Sequence, residues 1–341
     1  MLYHIIKSNM KRIVVITGIY GHLGRALAIA LSKDENTIIR GLALPNEKMP
    51  KELENIPHEL IRGNVTDINS LESLFTRTSK EQDIYFVHAA GLITIFKKMT
   101  DLLYNVNVNG TKNTLDLSLK YHVKRYIYIS SVDAFLAKKG AIIREVEHFE
   151  VDKLKGAYAK LKAIAGNMIL DEYSDKLDTV IVHPSAIIGP YDKGHNLVIK
   201  LCANYLKKGH VAGATGGFDF VDVRDVANGI INILDNEKVA RCYILSNHYY
   251  TIKELLYMTK DIAKLKHRPV IFPLFLAKLF APFIEFFAWH MKKRPLFTPY
   301  ALRTISLHTT YPYDRAKEDL DYVPRPIDVT MRDMIDYLEK K

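Results

Sequence analysis

Short apolar runs alternate with longer amphipathic stretches through the first half of the chain. The apolar runs predict strands over Ile13–Thr17, Thr37–Ala43, His58–Gly63, Ile84–Ala90, Arg125–Ser131 and Thr179–Pro184. The amphipathic stretches predict helices over Arg25–Leu31, Ser70–Phe75, Leu102–Tyr121 and Tyr158–Tyr173. Strands that are apolar at nearly every position and alternate with helices are typical of a parallel sheet buried on both faces. The pattern therefore predicts a doubly wound α/β fold.

The second half of the chain is less regular. A glycine-rich run at residues 209–217 precedes Phe218–Val226, and a further strand is predicted over Cys242–Leu245. Thr251 and Glu254 have the spacing of a helix capping box. No internal repeat or low-complexity linker separates the two halves. We predict a sheet domain over residues 10–190, to which residues 218–246 return, and a smaller, mostly helical substrate-binding lobe over residues 191–217 and 247–341.

The first predicted strand runs into a glycine-rich turn and then into a predicted helix. Gly18 permits the tight turn, Gly21 lets the backbone approach phosphates, and Gly24 lets the helix pack closely on the strand. The N–H groups at the start of the helix and the helix dipole favour a pyrophosphate. This arrangement is typical of a Rossmann fold. The predicted cofactor contacts in the turn are Thr17, Gly18, Tyr20, Gly21, His22, Leu23 and Gly24.

Composition and charge narrow the classes of partner. The chain has 341 residues, a net charge of +10 and 48% hydrophobic residues, which is ordinary for a globular protein. Its lysines are dispersed and no nucleic-acid motif occurs, so we expect a solvated basic surface that also suits an anionic cofactor. Two cysteines without a CxxC motif predict a reducing, cytoplasmic location. Met10 is a plausible alternative start, with Met1–Asn9 as an extension.

The segment Val270–Trp289 is apolar and about long enough to cross a membrane. Pro273, Lys278, Pro282 and Glu285 interrupt it, so a spanning helix is not expected. A lid or a core helix pair is the preferred interpretation. Peripheral contact with lipid through residues 270–289 is the alternative.

Tyr158 and Lys162 stand at positions i and i+4 of a predicted helix, on one face. A neighbouring ammonium group favours the phenolate, which would lower the tyrosine pKa and make the phenol a usable acid or base. The same spacing occurs at Tyr3, Tyr249, Tyr313 and Tyr337, so it is not specific by itself. Ser131 distinguishes Tyr158, because it ends an apolar strand 27 residues upstream and its hydroxyl can orient the same carbonyl oxygen.

Together these residues resemble the extended short-chain dehydrogenase/reductase family, from about Lys11 to the end of the chain. Ser131, Tyr158 and Lys162 match the catalytic triad of that family. The other matching segments are Thr17–Gly24, His88–Gly91, Asn107–Thr111, His183–Pro190 and Phe220–Val226. The sequence is closest to the branch of dihydroflavonol reductases and 3β-hydroxysteroid dehydrogenases, whose substrates are rather apolar.

The resemblance implies a role for each matched residue. Tyr158 would transfer the proton, Lys162 would lower its pKa and bind the ribose hydroxyls, and Ser131 would hold the substrate oxygen. Asn107 would be either catalytic or a structural hydrogen-bonding group of its helix. His88 and His183 lack further ligands at suitable spacing, so packing or cofactor lining is expected rather than a metal. The residues expected to line the cofactor are His88, Ala89, Ala90, Gly91, Pro184 and Ile187.

Two positions depart from the family pattern. After the third strand the family usually has an acidic residue that contacts adenine, whereas this chain has Asn64-Val65, which remain the candidates. After the second strand neither the acid of NAD enzymes nor the arginine of NADP enzymes stands at the expected place. Glu47 comes late, and Arg40 or Lys48 is the candidate for a 2′-phosphate. We prefer NAD over NADP because no arginine occupies the expected position.

The predicted reaction is hydride transfer between nicotinamide and a ketone or secondary alcohol. An NAD-retaining sugar-nucleotide epimerase is the first alternative, with Lys193, His195 or Arg224 binding a diphosphate. A non-catalytic NAD(P)-binding regulator is the second. The substrate is a small and possibly apolar molecule that the sequence does not identify. Leu102–Tyr121 and Tyr158–Tyr173 could form a homodimer interface or serve the core of a monomer.

Overall fold

The computed structural model describes residues 11–79, 81–194, 196–290 and 298–340. Twelve strands are present in these ranges. They are β1 Arg12–Thr17, β2 Thr37–Ala43, β3 Glu59–Arg62, β4 Ile84–His88, β5 Arg125–Ile129, β6 Thr179–Pro184, β7 Ala186–Ile188, β8 Ala212–Ala214, β9 Gly217–Asp222, β10 Cys242–Leu245, β11 His248–Thr251 and β12 Val270–Phe272. All seven predicted strands are therefore observed, and β3, β4 and β5 are shorter than predicted.

The described residues also form eleven α-helices. They are α1 His22–Leu31, α2 Asp101–Tyr104, α3 Gly110–Lys120, α4 Ala157–Met168, α5 Leu197–Lys208, α6 Val223–Asp235, α7 Ile252–Ile262, α8 Leu274–His290, α9 Pro299–Thr304, α10 Asp314–Leu320 and α11 Ile327–Glu339. Short 3₁₀ helices cover Lys51–Leu53, Ile68–Phe75, Val132–Ala134 and Val151–Lys153, and π-helical turns cover Asn105–Asn109 and Ile169–Tyr173. The helix predicted over Ser70–Phe75 is thus a 3₁₀ helix, and the two long predicted helices each contain a π turn.

Seven parallel strands form the central sheet in the order β10-β6-β5-β4-β1-β2-β3. Val14 and Ile16 face one layer of helices, which includes α1 and α6, whereas Ile13 and Val15 face the other layer. Because both faces are covered, consecutive strand residues are fully buried, which explains the uninterrupted apolar runs. The doubly wound prediction is confirmed. The strand order reverses between β1 and β4, which is where ligands bind in such sheets.

The remaining strands form two small sheets beside the central one. β9 pairs with β7 and β11, and β12 pairs with β8. Of residues 218–246, β10 joins the central sheet and α6 packs on it, whereas β9 pairs in the small sheet and places Val221 in the central core. A separate core of α5, α7 and α11 holds Cys202, which is buried and unpaired like Cys242. In the described part of the chain, no helix is both long enough and apolar enough to span a membrane.

Candidate active site at the carboxyl edge of the sheet

The glycine turn after β1 forms a close cradle at the carboxyl edge of the sheet. Gly18 has φ +68°, and a Cβ there would lie 3.1 Å from the Cα atom of Ala90. A Cβ on Gly24 would lie 2.2 Å from the Gly18 carbonyl oxygen. Gly21 precedes α1, and no side chain caps that helix, which leaves its first N–H groups for an anion. The turn therefore fits the pyrophosphate of a dinucleotide.

Thr17 and His88 form a hydrogen bond that joins the end of β1 to the end of β4. The Thr17 hydroxyl lies 2.8 Å from His88 Nδ1 and accepts a hydrogen bond from the Ala90 N–H at 3.1 Å. His88 Nε2 lies 3.1 Å from the Thr111 hydroxyl, which itself donates to the Asn107 carbonyl oxygen. Burial, and then the charge of Lys162, lower the pKa of His88 to about 3, so its ring is neutral. These residues hold Ala89 to Gly91 against the glycine turn.

Lys162 projects from α4 into the same edge. It is 5% exposed, and its Nζ atom donates to the Ile129 carbonyl oxygen at 2.6 Å. The Nζ atom also lies 4.6 Å from the ring centre of Tyr128 and 5.9 Å from that of Tyr158. Burial lowers the pKa of Lys162 to about 7. The ammonium form of Lys162 is therefore less stable than that of an exposed lysine.

Tyr158 lies beside Ser131, which follows the end of β5. Ser131 also accepts from the Asp133 N–H at 3.1 Å, which begins the 3₁₀ helix. Burial, and next the charge of Asp133, raise the pKa of Tyr158, while Ser131 opposes that shift. The expected lowering of the Tyr158 pKa is therefore wrong for these surroundings, because desolvation and the Asp133 charge outweigh the opposing effect of Ser131.

Asn107 stands in the π-helical turn beneath Gly91. Its Oδ1 atom accepts from the Leu92 N–H at 3.2 Å, and its Nδ2 atom donates to the carbonyl oxygens of Leu92 and Leu103 at 3.1 and 2.9 Å. A Cβ on Gly91 would lie 2.9 Å from Asn107 Oδ1 and 3.5 Å from Lys162 Nζ. Because the Asn107 amide is occupied by backbone groups, it positions the Gly91 segment rather than facing a reacting atom.

Arg40, a candidate for a 2′-phosphate contact, is instead bound by protein groups within β2 and its neighbours. Arg40 is 5% exposed, pairs with Glu59 at 2.6 Å and donates to the carbonyl oxygens of Leu74 and Thr76. Its assignment to a 2′-phosphate is wrong, since Arg40 lies three residues before the end of the strand and its charge is compensated there. Sequence spacing alone does not reveal where such a guanidinium points.

Glu47 and Arg62, rather than Arg40, lie at the end of β2. Glu47 folds back, so that its carboxylate accepts from the Leu44 N–H at 3.3 Å. Arg62 lies opposite Ala43 on β3 and donates to the carbonyl oxygens of Leu44 and Glu47. Its guanidinium carbon lies 5.5 Å from the ring centre of Tyr20, whose buried hydroxyl has no partner among the described residues. The sequence offered Glu47 only as a late acid, and the contacts of Arg62, which come from a neighbouring strand, had no local signal.

The remaining predicted cofactor residues lie around the same edge. Asn64 accepts from the Thr66 N–H at 3.1 Å, and Val65 is buried, with its carbonyl oxygen bound by Asn113. The His22 ring nitrogen lies 2.7 Å from the Pro190 carbonyl oxygen, which joins the start of α1 to the chain beyond β7. The His183 Nδ1 atom lies 3.2 Å from the Ser131 carbonyl oxygen. Of the predicted residues that follow His183, Pro184 ends β6 and Ile187 lies in β7.

Asp133 and an aromatic wall lie next to Tyr158, and sequence analysis did not assign them a role. A cavity of about 50 Å³ adjoins them, lined among others by Asp133, Phe135, Phe218, Tyr300 and Tyr311. Burial raises the pKa of Asp133 to about 6. Tyr300 comes from α9, far along the chain, so no local motif could have predicted it. None of the described side chains of residues 272–283 lines this cavity, so that segment is not its lid.

The diphosphate site considered for an epimerase does not form around Arg224. Its guanidinium is bound by Asp222 at 2.7 Å and by Asp333 at 2.6 Å, so its charge is compensated. Lys193 lies 5.9 Å from the ring centre of Tyr337, and His195 is outside the described residues. Over the described ranges, no three side chains of His, Cys, Asp or Glu gather as a metal site.

Comparison with known proteins follows this geometry. Residues 14–245 match the NAD dependent epimerase/dehydratase family. A Synechocystis protein with the provisional name dihydroflavonol 4-reductase is 29% identical over 272 residues, which are 78% of this chain and 77% of the relative. A decarboxylating sterol-4-alpha-carboxylate 3-dehydrogenase from Schizosaccharomyces pombe is 23% identical over 331 residues, which are 89% of this chain and 91% of the relative.

Solved structures show the same fold at low identity. The crystal structure of gox2253 superposes with a TM-score of 0.79 at 24% identity and covers 97% of this chain and 98% of its own. UDP-glucose 4-epimerase from Thermotoga maritima superposes with a TM-score of 0.74 at 18% identity, covering 96% and 99%. An epimerase thus shares this architecture, so the fold alone does not identify the reaction, and the side chains of the site must do so.

Proposed function

The chain belongs to the NAD-dependent epimerase/dehydratase family, and from that premise we propose that it is a cytoplasmic reductase of apolar ketones. It is an NAD(P)-dependent oxidoreductase of the extended short-chain type. The observation that carries the proposal is the grouping of Tyr158 with Ser131 and Lys162 at the carboxyl edge. The compensated charge of Arg224 favours reduction over sugar-nucleotide epimerisation.

The chain's own residues account for the proton in this reaction. A bound nicotinamide would supply the hydride to the carbonyl carbon. Ser131 donates a hydrogen bond to the carbonyl oxygen and orients it, while Tyr158 gives its phenolic proton to that oxygen, which yields the alcohol. Lys162 stabilises the resulting phenolate until solvent returns the proton. Because burial raises the pKa of Tyr158, the phenol is protonated at neutral pH and is ready to act as the acid for reduction.

The cofactor we propose is NAD rather than NADP. The turn from Thr17 to Gly24 would bind the pyrophosphate, and Asn64 and Val65 would lie at the adenine. Glu47 places a carboxylate at the end of β2, where it can accept a hydrogen bond from a ribose 2′-hydroxyl but would repel a 2′-phosphate. Arg62 is engaged by two backbone carbonyl oxygens of the same loop.

The substrate we propose is apolar and binds between the sheet and residues 191–217 and 247–341. The aromatic wall of Phe135, Phe218 and Tyr300 supports this, since such side chains favour apolar ligands. The dihydroflavonol and sterol named for the two relatives are ring compounds of that kind. Asp133 adds one polar group at the inner end, where it can accept a hydrogen bond from a substrate hydroxyl.

The test measures the nucleotide released from denatured protein and then titrates NADH and NADPH. We expect little released nucleotide and reversible micromolar binding that favours NADH. Tightly retained NAD would support the epimerase, because that reaction recycles its cofactor within one turnover. Binding of neither nucleotide would overturn the assignment of the glycine turn.

A variant tests the cofactor preference directly. Glu47→Gln keeps the side-chain length but removes the charge, so we expect the preference for NADH over NADPH to fall about tenfold. The matched control is Glu54→Gln, an exposed glutamate nearby, which should leave the preference unchanged. An unchanged preference in Glu47→Gln would exclude this carboxylate from ribose recognition.

A further inference from the structure

Helix α8 has two faces with opposite surroundings. Its inner face packs on β8 and α9 through Leu274, Ala277 and Ala281. Its outer face points to solvent, although it carries large apolar side chains. We define the outer face of α8 by the side chains that are between 56% and 69% exposed, namely Phe275, Leu279, Phe280 and Phe283.

Among the phenylalanines of the described residues, such exposure is confined to this region. Every exposed phenylalanine in the described part of the chain lies between Phe272 and Phe283. Val270 and Phe272 of β12, which are 55% and 47% exposed, extend the apolar surface along the chain to the start of α8. A contiguous run of large apolar side chains at the surface marks a binding surface, whereas single exposed residues do not.

In the sequence, basic residues flank this apolar segment on both sides. Residues 264–294 contain one acidic residue, Glu285, against seven lysines and arginines, which are Lys264, Lys266, Arg268, Lys278, Lys292, Lys293 and Arg294. Lys207 and Lys208 at the end of α5 are also exposed. They lie near the start of β12, because the Val270 N–H donates to the Val211 carbonyl oxygen at 2.9 Å.

We propose that the outer face of α8 docks on an anionic lipid surface. An amphipathic helix that lies in the membrane interface buries its apolar face at the acyl boundary while lysines and arginines meet anionic headgroups. Charge complementarity favours lipid over a second copy of this chain, since two copies would bring their basic surroundings together. Docking would also bring the cavity wall at Tyr300 close to the lipid, because α8 packs on α9.

The test is sedimentation of the full chain with vesicles. The wild-type protein should sediment with vesicles of phosphatidylcholine containing about 30% phosphatidylglycerol and much less with phosphatidylcholine alone. High salt should weaken the binding. The triple variant Phe275→Gln, Leu279→Gln and Phe283→Gln should lose binding at least about tenfold, since glutamine keeps the helix propensity but removes the apolar surface.

The matched control removes apolar surface elsewhere. Ile142→Gln with Val323→Gln changes two side chains that are 66% and 76% exposed, and it should bind vesicles like the wild type. NADH binding checks that each variant is folded. Equal sedimentation of wild type and triple variant, or no sedimentation of the wild type, would overturn the proposal. A dimer in gel filtration that the triple variant abolishes, without vesicle binding, would assign the surface to a second copy instead.

Discussion

The carboxyl edge of the sheet and the outer face of α8 both belong to apolar segments of the sequence. The side chains at the edge are buried, whereas those on the outer face of α8 are exposed. At the edge, buried polar groups such as Thr17, His88 and Lys162 are paired with one another or with backbone oxygens. On the outer face of α8, Phe275 and its neighbours touch little of the chain. The paired groups at the edge suit proton transfer, which needs desolvated and oriented side chains. The apolar side chains on the outer face of α8 would be buried only by a partner outside the chain.

The largest effect that separates the two regions should come from Tyr158→Phe. Loss of the general acid should lower kcat at least about 100-fold, roughly 3 kcal/mol, while NADH affinity stays within about twofold. Steady-state kinetics on an apolar ketone and a fluorescence titration measure the two quantities. Tyr249→Phe is the control, because Tyr249 also has a lysine four residues later but lies away from the edge. Unchanged turnover in Tyr158→Phe would exclude the phenol as the general acid, and nucleotide binding without turnover in the wild type would favour the regulator.

The next effect should come from Gly24→Ala. The added methyl would meet the Gly18 carbonyl oxygen at 2.2 Å, so we expect a loss of about 1–3 kcal/mol in the free energy of unfolding and weaker NADH binding. Urea denaturation and nucleotide titration test this. Gly209→Ala has a positive φ of +71° but open space around it, so it should cost about 1 kcal/mol without changing NADH affinity. Equal NADH affinity in Gly24→Ala and Gly209→Ala would contradict the proposal that the glycine turn binds the nucleotide.

These residues also show how far sequence reasoning reached. Gly24 and Lys162 were proposed because each belongs to a local motif whose spacing follows from one turn or one helix face, and Ser131 because it ends an apolar strand. Arg40 was assigned wrongly, because a strand residue's partner, here Glu59, lies on another strand. Tyr300 and Asp133 meet only through packing of segments 167 residues apart, for which a single sequence carries no signal.

The direction of the Tyr158 pKa was missed for a related reason. Helical spacing placed Lys162 near the phenol, but it could not show that both groups are buried, nor that Lys162 donates to Ile129. Desolvation therefore raises the pKa of Tyr158 and lowers that of Lys162. Local spacing predicts which groups meet, and the surrounding packing decides which form of each is stable.

A smaller effect should appear in the pH profile of Asp133→Asn. The Asp133 carboxylate raises the pKa of Tyr158, and alcohol oxidation needs the phenolate. Removing the charge should therefore move the alkaline midpoint of the oxidation rate to lower pH. The exposed Asp152→Asn is the control and should leave the midpoint in place. A midpoint that does not move in Asp133→Asn would place this carboxylate outside the electrostatic reach of the phenol.

The smallest effect should come from the outer face of α8, and its smallness is informative. Phe275→Gln should change the free energy of unfolding by less than about 0.5 kcal/mol, because the side chain is 69% exposed. The buried Phe86→Ala, which removes a ring stacked on Tyr126, should cost about 3–5 kcal/mol. Urea denaturation compares them, and a large loss in Phe275→Gln would mean that the helix packs on the chain after all. A phenylalanine that contributes nothing to the fold leaves its apolar surface available for a partner, as lipid docking requires.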